Sequence, residues 1–168
     1  MTDVILEEFT IADFETFKSW ITEERMLAQF AGPIFSFPIQ DSELVAYLNR
    51  PEINPFKVVL RSIKKSIGHC ELNFGHQVPR LSRILVGEKS MRGKGFGEQI
   101  VREMTRKLFQ DSSVKVVDLN VFDFNSAAIR CYEKVGFSIN PITTEPLRFE
   151  GETWTRLNMI LTRRHFSQ

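Results

Sequence analysis

The segment Met91-Arg92-Gly93-Lys94-Gly95-Phe96-Gly97 gathers residue types suited to holding phosphate. Glycines let a backbone approach a bulky ligand and adopt positive φ. The segment stands between an apolar run, Leu81 to Val86, and a helical-period stretch, Gly95 to Gln110. The first N–H groups of such a helix have no internal acceptor, and the helix dipole favours an anion beside them. Arg92 and Lys94 add positive charge. The local chemistry is that of a phosphate or diphosphate, with a ligand-free strand-to-helix connection as the alternative. Two rival phosphate motifs fail by register. Gly87 to Gly93 encloses five residues where a Walker loop has four, and Lys94 is followed by Gly95 rather than Ser or Thr. The dinucleotide fingerprint wants a glycine where Glu98 stands.

A second group lies downstream in Asn125-Ser126-Ala127-Ala128-Ile129-Arg130-Cys131-Tyr132-Glu133-Lys134-Val135-Gly136-Phe137. Asn125 and Ser126 can start a helix. Tyr132 follows Asn125 by seven residues, two helical turns, so its phenol can face a cleft shared with the glycine turn. A core aromatic with a wetted hydroxyl is the alternative.

The elements that must position these groups follow from the patterning. Val4 to Phe9 reads as a strand, and Thr10 with Asp13 as an N-cap before a helix to Trp20. Thr22 to Phe30 starts a second helix and Asp41 or Ser42 caps a third, ending at Asn49. Phe56 to Arg61 and Ile67 to Phe74, joined by Lys64-Lys65-Ser66, form an antiparallel hairpin, and Leu81 to Val86 extends it. Phe96, Ile100, Val101, Met104 and Leu108 make one apolar stripe. Val114 to Val121 is a strand, and Gly136 stops the helix that starts at Ser126. Leu147 to Phe149 and Thr153 to Leu161 close the chain as strands. The fold class is mixed α/β, in a single domain over residues 1–168.

Together the two groups resemble the GCN5-related N-acetyltransferase (GNAT) superfamily. Arg92, Gly95 and Gly97 match its Arg/Gln-x-x-Gly-x-Gly/Ala diphosphate loop. Asn125 to Ile129 and Tyr132 to Phe137 match its second coenzyme-A segment, in the family's order and spacing. Leu6-Glu7-Glu8-Phe9, Trp20 and Ile84-Leu85-Val86-Gly87 resemble the branch of ribosomal-protein N-terminal and spermidine acetyltransferases. The resemblance implies a central mixed, mostly antiparallel sheet flanked by helices, whose central strands splay to admit acetyl-CoA. It implies that Leu85 and Val86 bind the pantetheine arm, that Arg92, Gly93, Lys94, Gly95, Phe96 and Gly97 hold the diphosphate, and that Asn125 bonds the pantetheine. Tyr132 would protonate the leaving thiolate and the Val86 N–H would stabilise the oxyanion. Glu71 is the candidate base for the amine, with His69 second. Either can instead be a surface residue. No step needs a metal.

Composition is that of an ordinary globular chain, with 42% hydrophobic and 26% charged residues. No basic leader or long apolar run is visible, and the two cysteines build no disulfide framework, so a cytoplasmic protein with no membrane partner is expected. Net charge is +1, yet residues 1–53 carry ten acids and three bases. The resemblance places the N-terminal helices on the acceptor side, and their acidity suggests a cationic amine: a polyamine, an aminoglycoside-like amine or a protein N-terminus. The amine can be small-molecule or peptide, and a homodimer is compatible with this reading. Nucleic-acid binding through Arg102, Arg106 and Lys107 is disfavoured by the near-neutral charge. A non-catalytic acyl-CoA-binding module is the alternative function.

Overall fold

The computed structural model describes residues 2–166. A seven-stranded sheet forms the centre. Its strands are β1 (Val4–Glu8), β2 (Ile53–Leu60), β3 (Lys65–Asn73), β4 (Arg80–Val86), β5 (Val116–Phe122), β6 (Ser138–Asn140) and β9 (Arg156–Thr162), in the order β1-β2-β3-β4-β5-β9-β6. A separate ribbon pairs β7 (Leu147–Phe149) with β8 (Glu152–Trp154). Among the described residues only β4 and β5 run parallel, and every other neighbouring pair in this sheet is antiparallel. The helices are α1 (Phe14–Trp20), α2 (Glu24–Ala31), α3 (Asp41–Leu48), α4 (Phe96–Phe109) and α5 (Ser126–Val135). The sequence-predicted mixed, mostly antiparallel sheet flanked by helices is thus present.

Each side of the sheet has its own apolar packing. On one side Ile100, Val101, Met104 and Leu108 of α4 bury against Leu72, Leu81, Val117, Leu119 and Met159. Burying each such side chain is worth about 1.5–3 kcal/mol. On the other, α1, α2 and α3 close over Phe9, Phe14, Phe17, Leu27, Leu44, Tyr47 and Leu85. Phe9, Phe14, Phe17 and Phe35 are buried here, with Phe17 in edge-to-face contact with both Phe9 and Phe35.

Most boundaries shift by one to three residues from the sequence expectation, and two of the differences have a clear local cause. The first helix begins with a single 3₁₀ turn, Ile11–Asp13, because Asp13 turns back to accept the Thr10 N–H at 2.8 Å. The strand expected from Thr153 to Leu161 breaks at Thr155, whose carbonyl accepts the Asp123 N–H at 3.0 Å. Trp154 then packs with Phe122 at the end of β5 and with Phe124 and Phe149.

Candidate functional site

The site begins with an irregularity between β3 and β4. Leu85 pairs with His69 and Ser82 with Glu71, so Arg83 and Ile84 together oppose the single residue Cys70. Such a bulge bends its strand. Arg83 takes the left-handed conformation this needs, with φ 47°. Beyond the bulge β4 leaves β5: the two pair only at Arg80–Asp118 and Leu81–Leu119, then part. The Gly87 N–H bonds the Ile67 carbonyl at 2.8 Å. Alternation along a strand therefore turns the Val86 N–H the other way, into the gap. Gly68 allows this geometry, because a Cβ there would sit 2.1 Å from the Leu85 carbonyl oxygen.

A buried polar cluster underpins the bulge. His69 Nδ1–H donates to the Arg83 carbonyl at 2.9 Å. The Tyr47 hydroxyl donates to Glu71 at 2.6 Å, and Arg83 Nη1 reaches both Glu71 oxygens at 2.7 and 2.9 Å. Burial presses the His69 pKa down to about 4, so the ring is neutral. Burial and the Glu71 charge push the Tyr47 pKa up. Neither Glu71 nor His69 is a surface residue: both are buried. The expected free carboxylate at Glu71 is corrected, since its oxygens are already shared among Arg83, Tyr47 and Asn73.

The second wall is the head of α4. Gly93 and Gly95 adopt φ of 73° and 82°, and a Cβ at either would meet nothing. The N–H groups of Phe96, Gly97 and Glu98 fall before the first intrahelical acceptor, and no carbonyl of the preceding loop takes them. Arg92 behaves differently from expectation. Its Nε donates to the Val86 carbonyl at 2.9 Å and its Nη2 to the Gly87 carbonyl at 3.1 Å. It ties the turn to the end of β4 rather than extending towards a phosphate. Gly97 lies against α5, where an added Cβ would touch Cys131 Sγ at 3.7 Å.

The third wall is α5. Asn125 Oδ1 accepts the Ala128 N–H at 3.3 Å as an N-cap, leaving its Nδ2 free to donate. Gly136 ends the helix at φ 114°. Tyr132 is half-buried, its ring beside Phe137 and its hydroxyl without a hydrogen bond to the described residues. Burial raises its pKa, so the phenol keeps its proton at neutral pH.

These walls enclose one cavity of about 830 Å³. Leu85 and Val86 reach it from β4; Arg92, Gly93, Gly95 and Gly97 from the turn; Asn125 and Tyr132 from α5. Lys94, Phe96 and Glu71 do not line it: Lys94 is exposed, Phe96 packs on the α4 core, and Glu71 lies behind Arg83. The residues fit the cofactor expected from the sequence. Unpaired N–H groups at the α4 head suit a diphosphate, and the gap between β4 and β5 offers strand edges to an amide-bearing arm.

The far end of the cavity holds residues the motifs did not reveal. Arg80 grips Asp118 with two bonds of 2.8 Å. Asn158 bridges Asp118 and Asn120 at 3.0 Å each. Arg156 lies on the same sheet face, two residues from Asn158 along β9. The alternation Val117-Asp118-Leu119-Asn120-Val121 and Arg156-Leu157-Asn158-Met159 carries this polar face in the sequence. From α2 and the following loop come Met26, Gln29, Phe30, Ala31, Gly32, Pro33 and Ile34, none charged. The acids of the first third face elsewhere, as in the Lys18 contacts with Glu15 and Asp41. The expected acidic lining from those helices is therefore not what they present.

Parted central strands, an anion-binding helix head and a capped helix carrying a protonated phenol define a protein built to take a long phosphate-bearing ligand edge-on into its sheet. The chain belongs to the acetyltransferase (GNAT) domain family, whose model matches residues 3–138. It is 39% identical over 62 residues to an aminoglycoside N(6')-acetyltransferase of Klebsiella pneumoniae, a match covering 37% of this chain and 31% of the relative. The chain thus spans about a third of the length of that relative. A spermidine N-acetyltransferase of Vibrio cholerae, solved with CoA and spermine, superposes with a TM-score of 0.78 at 18% identity over 97% of each chain. An aminoglycoside acetyltransferase solved with coenzyme A gives 0.72 at 22% identity over 96% of each chain. Among the described residues no helix is long and apolar enough to cross a membrane, and no His, Cys, Asp and Glu group could hold a metal.

Proposed function

We propose that this chain, acting as a single cytoplasmic domain over residues 1–168, transfers the acetyl group of acetyl-CoA to a primary amine. The observation that carries this reading is the gap between β4 and β5, which shares one cavity with the α4 head and Tyr132. Acetyl-CoA supplies an acyl group activated as a thioester. The N–H groups of Gly93 to Gly97 hold its diphosphate, with charge supplied by the helix dipole more than by Arg92. Leu85 and Val86 offer strand-edge groups to its arm, and Asn125 offers Nδ2. The Val86 N–H, fixed by the bulge, stabilises negative charge growing on a carbonyl oxygen placed in the gap. Tyr132 holds a proton on Oη and gives it to the departing sulfur.

The incoming amine must lose a proton. Glu71 is engaged by Arg83 and shielded from the cavity, so its part is to aim Arg83 and hold the bulge rather than to receive that proton. Water entering the open cavity is the better acceptor. The relatives named for aminoglycosides and spermidine support an amine acceptor.

The test has two readouts. Acetyl-CoA should raise Tm, because a ligand that binds only the native state must do so. CoA thiol should then appear with amines and not without. A Tm rise with no thiol released across a broad amine panel would instead mark a binding module.

A further inference from the structure

The acceptor end of the cavity is electrostatically one-sided. Asp118 and Glu71 are the carboxylates buried beside it, and each is committed to an arginine, Arg80 and Arg83 respectively. Among the described residues the only carboxylate lining the cavity is Glu98, on α4 at the helix-head end, and Arg102 holds it at 3.0 Å. An approaching polycation would meet no free anion here. It would meet His76, Arg80, Arg83 and Arg156.

Arg156 stands out in this set. Its guanidinium forms no ion pair with any described carboxylate. Its Nε is enclosed by protein and meets no acceptor. Glu145 acts on it only through space, and burial and the Arg80 charge both lower its pKa. The residue is nevertheless rigidly mounted. It opens β9 opposite Phe122, its carbonyl accepts the Thr144 hydroxyl, and its guanidinium carbon lies 5.8 Å from the Phe122 ring centroid. A half-buried guanidinium whose Nε is closed off from water and which has no ion-paired carboxylate is costly to maintain. An anionic ligand would offset that cost, and the planar fork of arginine suits carboxylate or phosphate.

We propose that the acceptor end of this cavity takes a small primary amine that also bears an anionic group, carboxylate or phosphate, held by the Arg156 guanidinium with the amine directed towards the β4–β5 gap. This rests on the transferase reading above and narrows it from amines in general to zwitterionic or acidic amines. Arg80 and Arg83, though paired, add a positive background that the same ligand meets favourably.

The experiment compares matched acceptors that differ in charge alone: amino acids against their amides, and phosphoethanolamine against ethanolamine, with spermidine and kanamycin as cationic references. The anionic member of at least one pair should show the higher kcat/KM by about 10- to 100-fold, the usual range for one charge-assisted contact. Whether the carboxylate or the phosphate pair carries the preference identifies the anion. Arg156→Gln should bring that ratio close to unity while keeping the Tm rise with acetyl-CoA, and Arg156→Lys should retain part of it. A higher kcat/KM for spermidine or kanamycin than for every anionic amine overturns the proposal, as does a ratio unchanged in Arg156→Gln.

A second readout separates this proposal from the transferase reading. With CoA present, the anionic amines should raise Tm further in the native protein and not in Arg156→Gln. If no amine is acetylated but this additional rise appears and depends on Arg156, the transferase reading fails and the anion site stands. If neither charged member of a pair adds to the Tm rise, the anion site fails whatever the chemistry.

Discussion

Gly68→Ala probes the bulge through backbone atoms alone. The added Cβ would lie 2.1 Å from the Leu85 carbonyl oxygen and 3.2 Å from its carbon. Ordinary carbon contacts need about 3.5 Å, so more than an ångström of movement is required. No side-chain rotation can supply it, because the obstructing atoms belong to the main chain of β4. The strand must shift or β3 must yield. Overpacking of this kind costs about 1–3 kcal/mol of stability. The shift also carries the Val86 N–H, which lies one residue on, out of its place in the gap. A displacement of about 1 Å at a positioned group can lower rate by about 100-fold. Gly68→Ala should therefore lower the urea midpoint and reduce kcat/KM for acetyl-CoA together. Gly75→Ala is the control, because its Cβ would meet the Glu52 and Asn73 side chains at 3.1 and 3.2 Å, which can swing aside. A Gly68→Ala protein with native urea midpoint and native kcat/KM would refute the reasoning.

Tyr132→Phe should keep the Tm rise with acetyl-CoA and lower kcat by about 100-fold, the scale of a lost proton donor; equal kcat removes Tyr132 from the chemistry. Arg92→Gln frees the Val86 and Gly87 carbonyls and should raise KM for acetyl-CoA more than it changes kcat, by about tenfold for a charge-assisted contact; steady-state kinetics decides. Asp118→Ala leaves the Arg80 guanidinium without its counter-charge and should cost about 3 kcal/mol by urea denaturation, whereas replacing both residues by apolar ones should recover much of it. His69 is pressed from 6.5 to about 4 in the folded protein. Its folded pKa is depressed, so the unfolded chain binds more protons between those values and stability falls as pH drops through that window, by up to roughly 3 kcal/mol. Urea midpoints at neutral pH and near the lower value measure this, and His69→Gln should flatten that part of the profile.

The α4 helix and its glycine head were legible because period and motif coincide: Ile100, Val101, Met104 and Leu108 are all buried on one face. Asn125 and Gly136 likewise announce the ends of α5, and they cap it as expected. The cluster around Glu71 was not legible. It joins Tyr47, Glu71 and Arg83 across separations of 24 and 12 residues, and a single sequence carries no sign of such pairing. The same holds for Arg80 and Asp118, 38 residues apart. The motif marks Arg92 by position, yet its side chain points back to the end of β4, where two strand-end carbonyls accept its donors. Charge counted by chain segment does not carry over to the cavity lining, since the faces that α2 and its loop turn to the cavity are uncharged.

The extra residue in β4 also re-phases everything after it. Leu81 packs with the α4 side, whereas Leu85 belongs to the cluster under α1 to α3 and Ile84 and Val86 turn to the α4 side. Strict alternation would have put Leu81 and Leu85 on one side together. A pleated strand has only two phases, so losing a single residue between Leu81 and Leu85 would exchange the inner and outer settings of the whole strand end. Length drift in this stretch is thus restricted by parity: loss or gain of one residue inverts the site, while a change of two could leave its orientation intact.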